Sequence, residues 1–305
     1  MRHGFFCGYS CTPIRRIGFA TICAVGLAGC DKLGLGDKNP TSPTAPSSSS
    51  SVVYTAIGAS DAVGVGSSVI CLGDTECADG AGYVPVTVKT LKSQGRTVTT
   101  RNLGIPTAVI SRSFQILGTL YGRIILGNFI DNELPSVLTN STMVTIFAGV
   151  NDINTITSAL GGGAGANNQL GYLDSQVQTF IADYGTLVNG VRSRAPQARI
   201  VVLNVPNVAG LPYLSGASLQ QRQAAQRAAV GMTAGVNALA RQGVAIVDLM
   251  CDSRSYLPSN YSSDGMHPND SGYAFIAGLV VNAMTASSPP APQGSCGPMT
   301  IVPNL

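Results

Sequence analysis

Five runs of consecutive apolar and β-branched residues recur along the chain: residues 52–57, Thr97–Asn102, residues 142–148 (Thr-Met-Val-Thr-Ile-Phe-Ala), residues 199–204 (Arg-Ile-Val-Val-Leu-Asn) and residues 244–248. They are mostly continuous in character rather than alternating with polar positions. That pattern predicts strands covered on both faces, as in a parallel sheet. Between them lie segments of helical character: Tyr83–Ser93, residues 108–126, residues 171–194 with Pro196 just beyond, residues 218–241 with Gly243 as a stop, and residues 271–284. Strand and helix in alternation predict an α/β domain with a five-stranded parallel, doubly wound sheet. Ligand sites of such sheets lie at the carboxyl ends of the strands. The Gly-rich stretch at 161–168 has no periodicity and lacks the Gly-Lys-Ser/Thr ending of a phosphate loop, so it reads as a loop, either close to the site or plain surface.

Ahead of the first strand the pattern changes. Arg15 and Arg16 precede an apolar run at 17–27 that is too short to span a bilayer, followed by small residues. Residues 1–29 therefore read as a secretory signal peptide. The run ends Leu27-Ala28-Gly29-Cys30, which resembles the bacterial lipobox, with Cys30 as the lipidated residue. Residues 30–51 include Asn-Pro-Thr-Ser-Pro-Thr-Ala-Pro and a run of serines, with nothing to bury, and read as a tether. The remainder, residues 52–285, spans about 235 residues and suits one core. Residues 286–305 form a Pro-rich tail.

Composition removes one class of partner. Lys and Arg number 18 against 15 Asp and Glu, and setting aside Arg2, Arg15 and Arg16 of the signal leaves 15 of each. A neutral exported chain without a Lys/Arg run carries no footprint for nucleic acid. Of the eight cysteines, Cys71, Cys77, Cys251 and Cys296 remain once the signal and Cys30 are set aside. An even number in an oxidising compartment points to disulfides. Four cysteines allow three pairings; Cys71–Cys77 with Cys251–Cys296 is favoured, since it closes a short local loop and pins the tail to the body. No His lies near any Cys, which leaves no metal-site pattern, and nothing calls for a cofactor.

Apart from His3 in the signal, His267 is the one imidazole. It stands in Asp264-Gly265-Met266-His267-Pro268, where a turn brings a carboxylate three residues upstream to the Nδ1 side of the ring. Asp264 could instead cap the final helix, as could Asn269 or Asp270. The nucleophile elbow Gly-x-Ser-x-Gly does not occur. Gly58-Ala59-Ser60-Asp61 does, at the end of the first strand, where Ser60 is either a nucleophile or an ordinary helix cap. Gly104 follows the second strand and Asn151 the third; a backbone N–H and an Asn amide are the donors an oxyanion hole needs, although both residues are also common in turns.

In order, Ser60, Gly104, Asn151 and His267 resemble the residues that give the SGNH (GDSL-type) hydrolases their name. The matching blocks are residues 58–61, 102–104, 149–152 and 264–267. One departure stands out: where the family's first block reads Gly-Asp-Ser, this chain has Ala59, with Asp61 after the serine. The resemblance implies a three-layer α/β/α flavodoxin-like sandwich and ester hydrolysis through an acyl-enzyme on Ser60. His267 would act as base and then acid, held by Asp264, and the oxyanion hole would comprise the N–H groups of Ser60 and Gly104 and the Asn151 amide. It implies no cofactor. The substrate would be a small-molecule, lipid or carbohydrate ester, and the membrane would be a partner through the Cys30 anchor, on the periplasmic or cell-surface side. The apolar stretch at 108–129 could line an acyl pocket, which favours short or medium acyl chains. Carbohydrate O-deacetylase and lysophospholipase remain open within the family, and a non-catalytic surface-binding lipoprotein outside it; the sequence gives no oligomeric state.

Overall fold

In the computed structural model, residues 51–73, 76–288 and 291–305 are described. The signal, Cys30 and all but the last residue of the tether lie outside them. The five expected strands are present as β1 (Ser51–Gly58), β2 (Thr97–Asn102), β3 (Met143–Phe147), β4 (Arg199–Leu203) and β5 (Ala245–Val247). All pair in parallel, in the order β2-β1-β3-β4-β5. Every residue of β3, β4 and β5 is buried, which is why these runs carry no polar alternation. Edge strand β2 is only partly covered, with Val98 and Asn102 buried. This strand order is the flavodoxin-like one, and it reverses direction between β1 and β3. The crevice at that reversal is where a ligand is expected.

The helices are α1 (Ser60–Val63), α2 (Tyr83–Ser93), α3 (Arg112–Leu120), α4 (Val150–Gly161), α5 (Gln169–Arg194), α6 (Leu219–Ala238) and α7 (Asp270–Thr285). The long ones start on side-chain caps. Asn168 accepts from Gly171 N, Ser218 from Gln221 N, and Asn269 from Gly272 N. Asn269 thus caps the last helix, and Asp264 is free of that task.

Two helical expectations need correction. The helix expected over 108–126 shrinks to α3. The chain doubles back after Tyr121, so that Val109 bridges to Asn128 and Phe129 N–H bonds to Val109 O at 3.0 Å. The second correction is α4, which the sequence reading passed over. Its apolar positions Val150, Ile153, Ile156 and Leu160 do follow a helical spacing, but the segment is rich in Ile, Thr and Asn, which are weak helix formers. Tertiary packing decides: Ile153, Thr155, Ile156 and Ala159 are fully buried. The Gly-rich stretch closes α4 and turns at the surface before α5.

Two disulfides form, Cys71–Cys77 and Cys251–Cys296, as favoured from the sequence. The second fastens the tail beside β5. Buried Gln226 then clasps the tail, accepting from Ile301 N at 2.8 Å and Val302 N at 3.0 Å and donating to Val302 O at 2.7 Å. Among the described residues, no helix is long and apolar enough to cross a membrane.

Candidate active site

β1 delivers its last residue, Gly58, to the reversal point, and the chain turns into α1 with Ser60 at its first position. Ala59 precedes the helix without a side-chain cap bond, so Ser60 is not spent as a cap. From the other end of the domain, the loop before α7 brings His267 alongside. His267 Nε2 lies 2.9 Å from Ser60 Oγ, and His267 Nδ1 lies 2.6 Å from Asp264 Oδ2. The turn that places these two residues needs Gly265: its φ of +69° is costly for a side-chain-bearing residue, and a Cβ there would come within 2.7 Å of Tyr213 N.

Asp264 is fixed from several sides. Its Oδ1 accepts from Met266 N at 2.8 Å, His267 N at 2.9 Å and Ser262 Oγ at 2.9 Å. Partial burial alone would raise its pKa, but hydrogen bonds from the His267 ring, the two backbone N–H groups and Ser262 outweigh burial and hold the carboxyl well below the usual range. The carboxylate is therefore ionised wherever an imidazolium would need it. Asp61, next in the chain to Ser60, goes the other way. Burial raises its pKa, His267 opposes that shift, and Asp264 adds to it.

The expected oxyanion donors converge unequally. Asn151, buried at the start of α4, donates one amide hydrogen to Ala108 O at 3.0 Å. An Asn amide has two, so the other is free for a ligand. Gly104 sits against α1, where a Cβ would approach Ala62 Cβ to 2.7 Å, so only glycine fits. Its N–H is already given to Asn102 Oδ1, at a long 3.2 Å. Of the three donors, it is the one that must exchange partners to act on a substrate oxygen. Ser60, Asp61, Ala108, Phe129, Asn151, Met266 and His267 share one cleft of about 390 Å³. Of the stretch 108–129, its two ends face this cleft, whereas Ile116, Leu120, Ile124 and Leu126 are exposed.

Three supporting residues escaped sequence reading. Glu133 buries its carboxyl against Gly58 N at 2.9 Å. Thr107 holds φ at +67°, the one non-glycine at positive φ among the described residues, immediately before Ala108. Ser262 braces Asp264. Glu133 acts on a residue distant in sequence and Thr107 through its backbone, so neither has a local signal; Ser262 stands two residues before Asp264, where a short hydroxyl-to-carboxylate bond was open to a sequence reading. Among the described residues, no group of three or more His, Cys, Asp or Glu side chains gathers to hold a metal ion.

A hydroxyl, an imidazole and an ionised carboxylate in series can move a proton from oxygen to nitrogen and back, and the adjacent amide can accept a developing negative charge. Comparisons with known proteins bear on the fold and the family. Among solved structures, a lipase (Lip_vut3) from a goat rumen metagenome superposes with a TM-score of 0.53 at 15% identity, covering 78% of this chain and all of that one. The extracellular lipase of Streptomyces rimosus gives 0.52 at 20% identity, covering 77% and 100%. Phospholipase A1 of Streptomyces albidoflavus NA297 gives 0.50 at 17%, covering 77% and 99%. At these identities the likeness establishes the fold. No curated protein sequence matches. The sequence model of the GDSL-like lipase/acylhydrolase family matches residues 56–275, from within β1 into α7, and the chain belongs to that family of ester hydrolases.

Proposed function

We propose that this protein hydrolyses carboxylic esters through an acyl-enzyme on Ser60, with short- to medium-chain acyl groups as substrates. The observation that carries the reading is the unbroken contact series Ser60 Oγ, His267 Nε2, His267 Nδ1, Asp264 Oδ2, at 2.9 and 2.6 Å. Ser60 Oγ attacks the ester carbonyl while His267 Nε2 takes its proton. The carbonyl oxygen, now negative, is met by Asn151 and by backbone N–H groups at Ser60 and Gly104. The C–O bond to the alcohol breaks as His267 returns the proton to the leaving oxygen. Water then repeats the sequence on the acyl-enzyme: His267 deprotonates it, the acid leaves, and Ser60 recovers its proton. Asp264 keeps the ring in one tautomer and stabilises the imidazolium at each stage.

The protein acts outside the cytoplasm, on a lipid anchor at Cys30. Support comes from the lipobox-like Leu27-Ala28-Gly29-Cys30 and from two disulfides in the domain, which belong to oxidising compartments. The test is hydrolysis of p-nitrophenyl acetate, butyrate and octanoate by the full chain, beside Ser60→Ala. Turnover that falls to background in Ser60→Ala supports the reading. A folded parent inert on all three esters, or a fully active Ser60→Ala, overturns it.

A further inference from the structure

The turn that carries Asp264 and His267 is shaped by bonds within itself. Asp264 Oδ1 accepts from Ser262, Met266 and His267, and Ser262 N–H donates to His267 O at 2.8 Å. Such bonds give the turn its form without placing it against the rest of the machinery. Ser60 and Asn151 come from elsewhere in the chain, at the starts of α1 and α4. The imidazole and the oxyanion donor nevertheless need close registration, since a shift of about 1 Å can cost roughly 10² in rate.

A strut from α4 supplies that placement. Tyr213 lies in the short turn Pro212–Leu214 after β4 and donates its N–H to Gly265 O at 3.1 Å. Its hydroxyl donates to Asn154 Oδ1 at 2.9 Å, and Asn154 Nδ2 donates to Met266 Sδ at 3.6 Å. Gly265 and Met266 are adjacent, so these contacts close a ring around Asn154, Tyr213 and the triad turn. Asn154 stands three positions after Asn151 on α4 and shares its face of the helix. The amide suits both neighbours. Burial pushes the pKa of the Tyr213 phenol up, so its hydroxyl stays protonated and donates, while a thioether can only accept. Met266 lines the cleft of Ser60 beside Asn151 and His267, so movement of this ring is felt at the site.

We propose that Tyr213 and Asn154 are positioning residues, which together set the His267 turn against the helix that carries Asn151, so that base and oxyanion donor meet at one substrate carbonyl. The inference rests on the hydrolase reading for the roles of His267 and Asn151. Both side chains act through Gly265 and Met266 rather than on the reacting atoms. Removing either one opens the same ring, so their effects on the chemistry are coupled rather than independent.

The test compares the full chain with Tyr213→Phe, Asn154→Leu and the pair, on p-nitrophenyl acetate and butyrate. Each single variant should lose about tenfold in kcat on both esters, with KM within about twofold of the parent. The pair should lose no more than the worse single variant. A kcat within about twofold of the parent in both single variants, a rise in KM in place of the fall in kcat, or losses that multiply in the pair would overturn the proposal. The Tm should stay within about 4 °C of the parent's; a larger fall in both single variants would mark general support of the fold and overturn it as well. Hydrogen exchange supplies a reading that needs no turnover. The Met266 and His267 N–H groups should exchange about fivefold faster in Tyr213→Phe, and unchanged exchange overturns the strut. Absent turnover of both esters by the parent is a failure of the hydrolase reading alone, and exchange then decides whether the strut holds the turn.

Discussion

The Glu133 carboxyl accepts the Gly58 N–H at 2.9 Å, two residues ahead of Ser60. It comes from the turn at Phe129–Glu133, is 1% exposed, and holds the end of β1 from behind. Burial pushes its pKa well above the usual range, and the Gly58 hydrogen bond opposes that shift. Glu133→Gln keeps an acceptor for the Gly58 N–H, and should match the parent in Tm and turnover. Glu133→Ala leaves the Gly58 N–H unpaired beside a void, with an expected loss of about 2–4 kcal/mol. Because Gly58 leads directly into the nucleophile turn, kcat should fall while KM moves little. Urea unfolding together with ester kinetics on the two variants checks this, and equal kinetics in Glu133→Ala would refute the positioning role.

Asp264 offers a cleaner separation of fold from chemistry. Its Oδ1 organises the turn by accepting from the Ser262 hydroxyl and the Met266 and His267 N–H groups, while Oδ2 alone meets the imidazole. Asp264→Asn can keep the Oδ1 bonds but presents an N–H to His267 Nδ1, forcing the wrong tautomer. The expected outcome is a fall in kcat on the order of 10⁴-fold with little change in Tm. An unfolded Asp264→Asn, or one within tenfold of the parent, would contradict this division of labour.

Asn151 tests the charge-stabilising side of the site. Asn151→Ala removes the amide hydrogen left free for the oxyanion and should cost on the order of 10² to 10³ in kcat. Its other hydrogen ties α4 to Ala108 O, so a small loss of Tm accompanies the effect. Asn102 shares the work less directly. Because its Oδ1 holds the Gly104 N–H at 3.2 Å, Asn102→Ala releases that donor while freeing the loop it steadies. Steady-state kinetics on both variants separates them, and a kcat unchanged in Asn151→Ala would remove it from the mechanism.

Much of this architecture is legible in the chain because its logic is local. Buried parallel strands must be continuously apolar, so 199–204 announces β4 without ambiguity. Ser60, Gly104, Asn151 and His267 each follow a strand or a turn signal and together resemble a family order. What stays hidden depends on distant partners. Glu133 is one acidic residue in Asp-Asn-Glu-Leu-Pro until Gly58 is placed above it. Helix α4 is obscured by Ile and Thr whose helical state is imposed by packing, not propensity. The Gly104 N–H bonded to Asn102 can be seen only once the loop has a conformation.

The two disulfides should differ in weight. Cys251–Cys296 closes a separation of 45 residues and Cys71–Cys77 one of 6. Loop-closure entropy assigns the longer loop about 4 kcal/mol and the shorter about 2 kcal/mol. The double variant Cys251→Ser/Cys296→Ser should lose more Tm than Cys71→Ser/Cys77→Ser. It should also expose the tail that Gln226 clasps, read as faster proteolysis after residue 285. Equal Tm losses would mean that the clasp, rather than the covalent link, holds the tail.

Asp152 gives the pH dependence of stability a direction. It is fully buried; its Oδ1 accepts from Ile110 N at 2.9 Å, and its Oδ2 has no partner. Burial is the main cause of a pKa pushed up to about 7, opposed by the Ile110 N–H. An unfolded Asp titrates near 3.9. Below about pH 4 both states carry the proton and nothing is lost. Between about 4 and 7 the unfolded chain gives up its proton while the folded one keeps it, so stability contributed by the neutral form drains away as pH rises, and above about 7 the loss is complete. Asp152→Asn retains the acceptor for Ile110 and stays neutral throughout. Its Tm should therefore pull ahead of the parent's from pH 4 upward and hold a constant lead above pH 7. Thermal unfolding of both proteins across that range is the measurement; parallel Tm curves would show that the Asp152 proton does not set the slope.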